Sequence, residues 1–173
     1  MFRNHEYLEG SWMKTLILYA TKYGSAEKVA HRLATKLPGD VQTISIMKDA
    51  PPPLTEFDTV ILGGSIYMGT IQQQLSNYLN EHVEELLEKR VGLYICAGEQ
   101  DPEVRSKELV DSFPRSLYEH AIVKEIVGHE YHFDKMNLFE KLMLRMKGIK
   151  KSCSALSDER IDHTAHMMAE TRR

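Results

Sequence analysis

Five short runs rich in Val, Ile and Leu, separated by stretches whose apolar residues recur every three or four positions, constrain this chain most. The runs fall at 16–20, 41–46, 60–62, 91–97 and 121–127. Each is strand-length, and near-continuous apolarity marks a strand buried on both faces. Between the first two, Ala26, Val29, Ala30 and Leu33 share one helical face, with Lys28 and Arg32 opposite. Pro38-Gly39-Asp40 stops that helix, and Pro51-Pro52-Pro53 makes a stiff connection. Residues 72–89 read as helical, with Leu75, Tyr78, Leu79, Val83, Leu86 and Leu87 on one face. Residues 102–118 read as helical with a break at Pro114, and 134–151 as a basic amphipathic segment. Ser157 can cap a last helix that carries Asp158 and Glu159 in its first turn and an apolar face of Ile161, Ala165 and Met168.

Strands alternating with helices specify a parallel sheet covered on both faces, with right-handed crossovers. Such sheets bind ligands beyond the carboxyl ends of the strands, at the topological switch point. The loops after the first, third and fourth strands are therefore the places to look for a site. At 173 residues the chain has room for one domain, and it shows no internal repeat.

Composition removes several classes. Hydrophobic residues at 42% and charged residues at 27% exclude a disordered or collagen-like chain. A net charge of −3 argues against a global nucleic-acid footprint. Cys96 and Cys153 lie in no CxxC or Cys/His spacing, which argues against a disulfide framework or structural zinc and suits a reducing cytoplasm. The long uncharged run at 59–80 contains Gly63, Gly64, Gly69, Gln72, Gln73 and Gln74. It reads as a strand, a glycine loop and a polar helix start rather than a membrane span. Residues 1–12 lack periodicity and read as an extension, a misplaced start or an expression scar, with a docked arm as the alternative. Met13 reads as the functional start, so the domain is expected over 13–173.

The first loop is Thr21-Lys22-Tyr23-Gly24-Ser25-Ala26. It is neither a GxxxxGK[ST] P-loop nor a GxGxxG dinucleotide turn. The first strand ends without the carboxylates that a metal-dependent phosphoacceptor needs. What remains is a helix N-terminus, the hydroxyls of Thr21 and Ser25, and a glycine that permits close backbone approach. That set suits a phosphate monoester held by neutral donors. An ordinary capped turn would use the same residues.

The segment Ile17-Leu18-Tyr19-Ala20-Thr21-Lys22-Tyr23-Gly24-Ser25-Ala26, followed by Ala30 and Leu33, resembles the flavodoxin signature in residue types and spacing. The resemblance implies a flavodoxin-like three-layer α/β sandwich, a five-stranded sheet in order 2-1-3-4-5, and non-covalent FMN (flavin mononucleotide). Ala26 stands where that family usually has Thr. By the resemblance Thr21, Lys22, Tyr23, Gly24, Ser25 and Ala26 bind the cofactor, but one hydrogen bond to a charged group is worth about 1.5–3 kcal/mol, so FMN binding is expected to be weaker unless the remaining N–H groups, Thr21, Ser25 and Lys22 compensate.

The other two loops fit the same reading. Gly63-Gly64-Ser65-Ile66-Tyr67-Met68-Gly69 follows the third strand. Its glycines allow backbone to approach a planar ligand, and Tyr67 with Ile66 or Met68 can cover the ligand's face. By resemblance, Ser65, Ile66, Tyr67, Met68 and Gly69 border the flavin, although Gly63 could equally serve tight packing. Ala97-Gly98-Glu99-Gln100-Asp101 follows the fourth strand. By resemblance Ala97, Gly98 and Glu99 border the flavin's other edge. Glu99 and Asp101 read as solvated or capping, and Cys96 as a small core residue.

In the basic segment, Phe139, Leu142, Met143 and Met146 follow helical spacing. Six positive side chains there face only Asp134 and Glu140. It is either a surface helix lying on the core or a partner surface for an anionic membrane, an acidic redox protein or a carboxylate-bearing substrate. With Tyr131-His132-Phe133 leading into it, 134–151 resembles the insertion of the menaquinone-dependent protoporphyrinogen IX dehydrogenases. The loop at 64–69 resembles theirs as well. That resemblance implies electron transfer from a porphyrinogen to a quinone at the inner face of a membrane. His129 and His132 read as solvated or core-edge rather than metal ligands. No side chain stands out as an acid–base catalyst, which favours an FMN electron carrier over the dehydrogenase. A flavin-free binding module that has kept only the loop's shape is the third alternative.

Overall fold

A computed structural model describes residues 13–170. Its centre is a parallel sheet of β1 (Lys14–Ala20), β2 (Asp40–Ser45), β3 (Thr59–Ser65), β4 (Arg90–Cys96) and β5 (Val123–Ile126). The order is β2-β1-β3-β4-β5, as the flavodoxin-like reading requires. β1 is the switch point: the chain leaves it for β2 on one side and returns for β3 on the other. The ends of β1 and β3 therefore open onto a common crevice.

Alternating residues of each strand face opposite layers. Leu16 and Leu18 of β1 point into one core, where they meet Leu75, Leu79 and Leu86. These come from α2 (Gln73–Glu81) and α3 (Val83–Leu87), with α4 (Pro102–Asp111) and α5 (Arg115–His120) adding Leu109 and Leu117. Ile17 and Tyr19 point into the other core. There α1 (Ser25–Ala34) supplies Ala26, Val29, Ala30 and Leu33, and the last helix, α7 (Asp158–Ala169), supplies Ile161, Ala165 and Met168. Ser157 caps α7 by accepting the Arg160 N–H, as its sequence suggests.

The structure differs from the sequence reading in three places. The helical stretch 72–89 is two helices meeting at His82. The stretch 102–118, by contrast, divides at Pro114 as its sequence suggests, because proline cannot continue the first helix. The fifth strand stops at Ile126, and the chain then turns at Gly128, whose φ is +98°. There it begins a small antiparallel pair, β6 (Gly128–Tyr131) and β7 (Cys153–Leu156), which periodicity does not announce. A Cβ at position 128 would lie 2.0 Å from the Ala155 carbonyl oxygen, so this start needs glycine. Finally, the basic segment, hung between β6 and β7, contains a 3-10 turn (Phe133–Lys135) and then α6 (Leu138–Met146). Residues 1–12, read as an extension, lie outside the described residues. Among the described residues no helix is long and apolar enough to cross a membrane.

Candidate functional site

The first loop builds a cluster of donors around one hydroxyl. Gly24 takes φ +101° as the N-cap of α1, and its N–H donates to Thr21 Oγ1 at 3.0 Å. Ser65, the last residue of β3, reaches across. Its Oγ lies 2.9 Å from Thr21 Oγ1 and 2.7 Å from Ser25 Oγ, and it accepts the Ala26 N–H at 3.2 Å. Three hydroxyls thus converge on the positive end of a ten-residue helix.

The third loop turns through Met68 and Gly69, both with positive φ, and is closed by paired bonds between Tyr67 and Thr70. The turn leaves Met68 exposed at its tip and swings Tyr67 back over the cleft. Lys22 Nζ sits 3.9 Å from the centroid of the Tyr67 ring. Gln72, at the start of α2, lines the same cleft. Its Nε2 donates to the Ser65 carbonyl, which leaves Oε1 buried without a partner among the described residues.

The far wall is formed by Gly98, Glu99, Glu108, His129 and Tyr131. A Cβ at position 98 would fall 2.0 Å from the Tyr131 hydroxyl, so glycine is what lets this wall close. Glu99 accepts from Gln100 N and Asp101 N, which holds its carboxyl below the usual range, and it also pairs with Lys147. Burial, and then the charge of Glu99, pushes the Glu108 carboxyl up. Burial, and then Arg105, pushes the His129 imidazole down. This wall therefore carries a carboxyl biased toward its proton-bearing form and an imidazole biased toward its neutral form.

α6 forms the roof. Its one buried side chain is a charged one, Glu140. That carboxylate accepts from Lys22 Nζ at 2.5 Å, Tyr23 OH at 2.5 Å, Tyr67 OH at 2.6 Å and Asn137 N at 2.9 Å. Burial alone would raise its pKa, but these four donors outweigh it and bring the group down to about 2. Glu140 in return keeps Lys22 firmly cationic. The apolar residues Phe139, Leu142, Met143 and Met146 do not lie on the core. Leu138, Phe139, Leu142 and Met146 are 85%, 60%, 55% and 76% exposed.

With this geometry in view, comparison with known proteins is informative. The flavodoxin domain model matches residues 16–155. The chain belongs to that family. Among solved structures, this flavodoxin domain is similar to a Streptococcus pneumoniae flavodoxin (17% identity, TM-score 0.55). That match covers 90% of this chain and 97% of the other. It is similar also to oxidised flavodoxin 1 of Bacillus cereus (16% identity, TM-score 0.53), covering 90% and 95%. Against rubredoxin oxygen:oxidoreductase of Desulfovibrio gigas (16% identity, TM-score 0.49) it spans 90% of itself but only 35% of that chain. At these identities the likeness shows the fold. No curated protein matches the sequence significantly.

Family membership supports a flavin-binding redox domain, and the residues present fit such a group. The donor cluster suits a phosphate, the Tyr67 side suits an aromatic face, and Gln72 Oε1 and Glu108 Oε2, both without a partner among the described residues, can accept from an N–H edge. Of the residues singled out in the sequence, Lys22, Tyr23, Ser25, Ser65, Ile66, Tyr67, Met68, Gly69, Gly98 and Glu99 line one cleft. Thr21 and Gly24 support it from beneath. Ala26 and Ala97 are buried in the two cores, and Ala26 reaches the site only through its N–H. Cys96 is buried and its thiol is pushed up to about 12, mainly by that burial, which leaves it unreactive. Sequence reasoning missed Gln72, Glu108, His129 and Tyr131 as cleft residues, and it counted Glu140 only as a charge. The pair Asn137 and Glu140, which forms a capping box, was the one signal that could have marked the start of α6. Among the described residues no group of three potential metal ligands is gathered.

Proposed function

We propose that this domain binds FMN non-covalently in the cleft and carries electrons through it. The observation that carries the reading is the convergence of Thr21, Ser25, Ser65 and the Ala26 N–H at the N-terminus of α1, next to the aromatic wall of Tyr67. Bound flavin would supply the one- and two-electron chemistry. Thr21, Ser25 and Ser65 would hold the phosphate, with Lys22 adding positive charge. Tyr67 and Ile66 would cover the ring system. Glu99 and Glu140 place negative charge along the cleft, which opposes build-up of negative charge on a reduced ligand. Glu108 and His129 can hold or move a proton at the far wall.

A second reading has a specific observation in its favour. The exposed apolar residues of α6 are flanked by Lys135, Lys141, Arg145, Lys150 and Lys151, a combination suited to an anionic membrane surface. This supports the protoporphyrinogen IX dehydrogenase activity, with a porphyrinogen as donor and a quinone as acceptor.

An absorbance titration with FMN, followed by reduction with dithionite, tests the first reading. A yellow, reversibly reducible complex is expected. A folded preparation that stays colourless with FMN overturns it and favours a flavin-free module. Flavin reduction by a porphyrinogen, together with sedimentation on anionic liposomes, would select the dehydrogenase over the carrier.

A further inference from the structure

α6 is joined to all three cofactor loops, although it begins 37 residues after the last of them ends at Asp101. Near its N-terminus, Glu140 holds Lys22 and Tyr23 of the first loop and Tyr67 of the third. Just past its C-terminus, Lys147 reaches Glu99 of the fourth at 3.3 Å. Between these points Phe139, Met143 and Leu144 line the cleft. The helix has little else to hold it down, because its other large side chains face outward. A helix this short is marginal without tertiary support. Its attachment therefore rests on a few polar contacts, of which the Glu140 cluster is the most buried.

We propose that Glu140 is the positioning residue of the cleft: it orients Lys22, Tyr23 and Tyr67 and, through them, latches α6 as a cover, so that ligand enters and leaves when this carboxylate lets go. Two features favour a latch over a permanent brace. The bonds are charge-assisted, hence strong and directional while made. The outer face of α6 is apolar but unpacked, so lifting the helix breaks little hydrophobic contact. Lys147–Glu99 is the weaker second fastening, being exposed at the rim.

The proposal concerns the cleft and its cover, and only its kinetic arm rests on FMN being the ligand. Glu140→Gln is the informative variant, because Gln retains the capping box and so keeps α6 helical. The first measurement is backbone hydrogen exchange of residues 138–146 in the chain without added ligand. Exchange about tenfold faster than wild type is expected, from the loss of the charge-assisted bond to Lys22. The second is stopped-flow FMN binding, where association and dissociation should both accelerate. Lys147→Gln should move both readouts in the same direction by a smaller factor. Unchanged exchange at 138–146 in Glu140→Gln overturns the latch, and so does faster dissociation with unchanged or slower association, which marks Glu140 as an ordinary contact. If FMN does not bind wild type or variant, the flavin reading fails and the exchange result alone decides the latch.

Discussion

The hydroxyl of Tyr94, in β4, donates to the carbonyl of Ala26, in the first turn of α1, at 2.8 Å. It spans the gap because Gly63, its partner in β3, leaves room for the ring. A Cβ at position 63 would lie 1.9 Å from the Tyr94 ring carbon that bears the hydroxyl. Gly63 is thus a packing position that sets where the N-terminus of α1 stands. Gly63→Ala should destabilise the fold by about 3 kcal/mol or more, measured by urea unfolding, since neither strand can withdraw. Tyr94→Phe, which keeps the ring, should cost only about 1 kcal/mol. Combining Gly63→Ala with Tyr94→Leu should recover part of the loss; no recovery would mean that the clash is not the cause.

Ser65 Oγ is the shared partner of Thr21, Ser25 and the Ala26 N–H. Ser65→Ala removes it from all three. Stability without ligand should fall by about 1–3 kcal/mol, the cost of stranding buried donors. FMN affinity, measured by fluorescence titration, should fall about tenfold or more, because the bond lost is one to a charged group. Weaker stability with unaltered affinity would place the phosphate elsewhere.

Lys28 of α1 and Glu130 of β6 pair at 2.7 Å, and the Glu130 side chain is only 1% exposed. Burial pushes that carboxyl up, but Lys28, Ser154 and His132 together outweigh it and hold it below its ordinary value. A depressed folded-state pKa gives stability that is full above the unfolded value of about 4.3 and is lost as pH falls through the folded one. Lys28→Met takes the cationic partner from a buried carboxylate, leaving it Ser154 and His132, and should cost about 3 kcal/mol near neutrality. The deficit relative to wild type should shrink on acidification below about pH 4, where both chains protonate the group. A deficit independent of pH would show that Lys28 acts through packing alone.

The two thiols should react very differently. Cys153 is exposed in β7, whereas Cys96 is buried with its pKa pushed up to about 12. A disulfide reagent at neutral pH should titrate one thiol promptly and the second only as fast as the chain unfolds. Two fast thiols would mean that β4 opens far more readily than its packing implies.

The sheet was legible in the sequence because strands buried on both faces must be apolar throughout, as Leu16, Ile17 and Leu18 are. β6 and β7 were not, because they are four residues each, form a two-stranded pair at the molecule's edge and bury little, so no alternation is imposed on them. The near half of the site was legible because anion binding at a helix N-terminus uses hydroxyls and glycine in one contiguous loop. The far half is assembled from Glu108, His129 and Tyr131, which only the fold brings together. The amphipathic pattern of α6 is legible in the sequence, but whether its apolar face lies on the core or faces outward is not. Hydrophobic spacing identifies an apolar face without saying what it meets, and here the inward anchor is a carboxylate.

The place of β1 inside the sheet, between β2 and β3, has a consequence for biogenesis. Its neighbours arrive late: Lys14 pairs with Asp40, and Thr15 waits for Thr59. Until both are translated, Leu16-Ile17-Leu18 is a naked, sticky ribbon with two unmatched edges. Non-local pairing of this kind slows folding, and the nascent chain stays vulnerable to self-association until β3 has emerged from the ribosome.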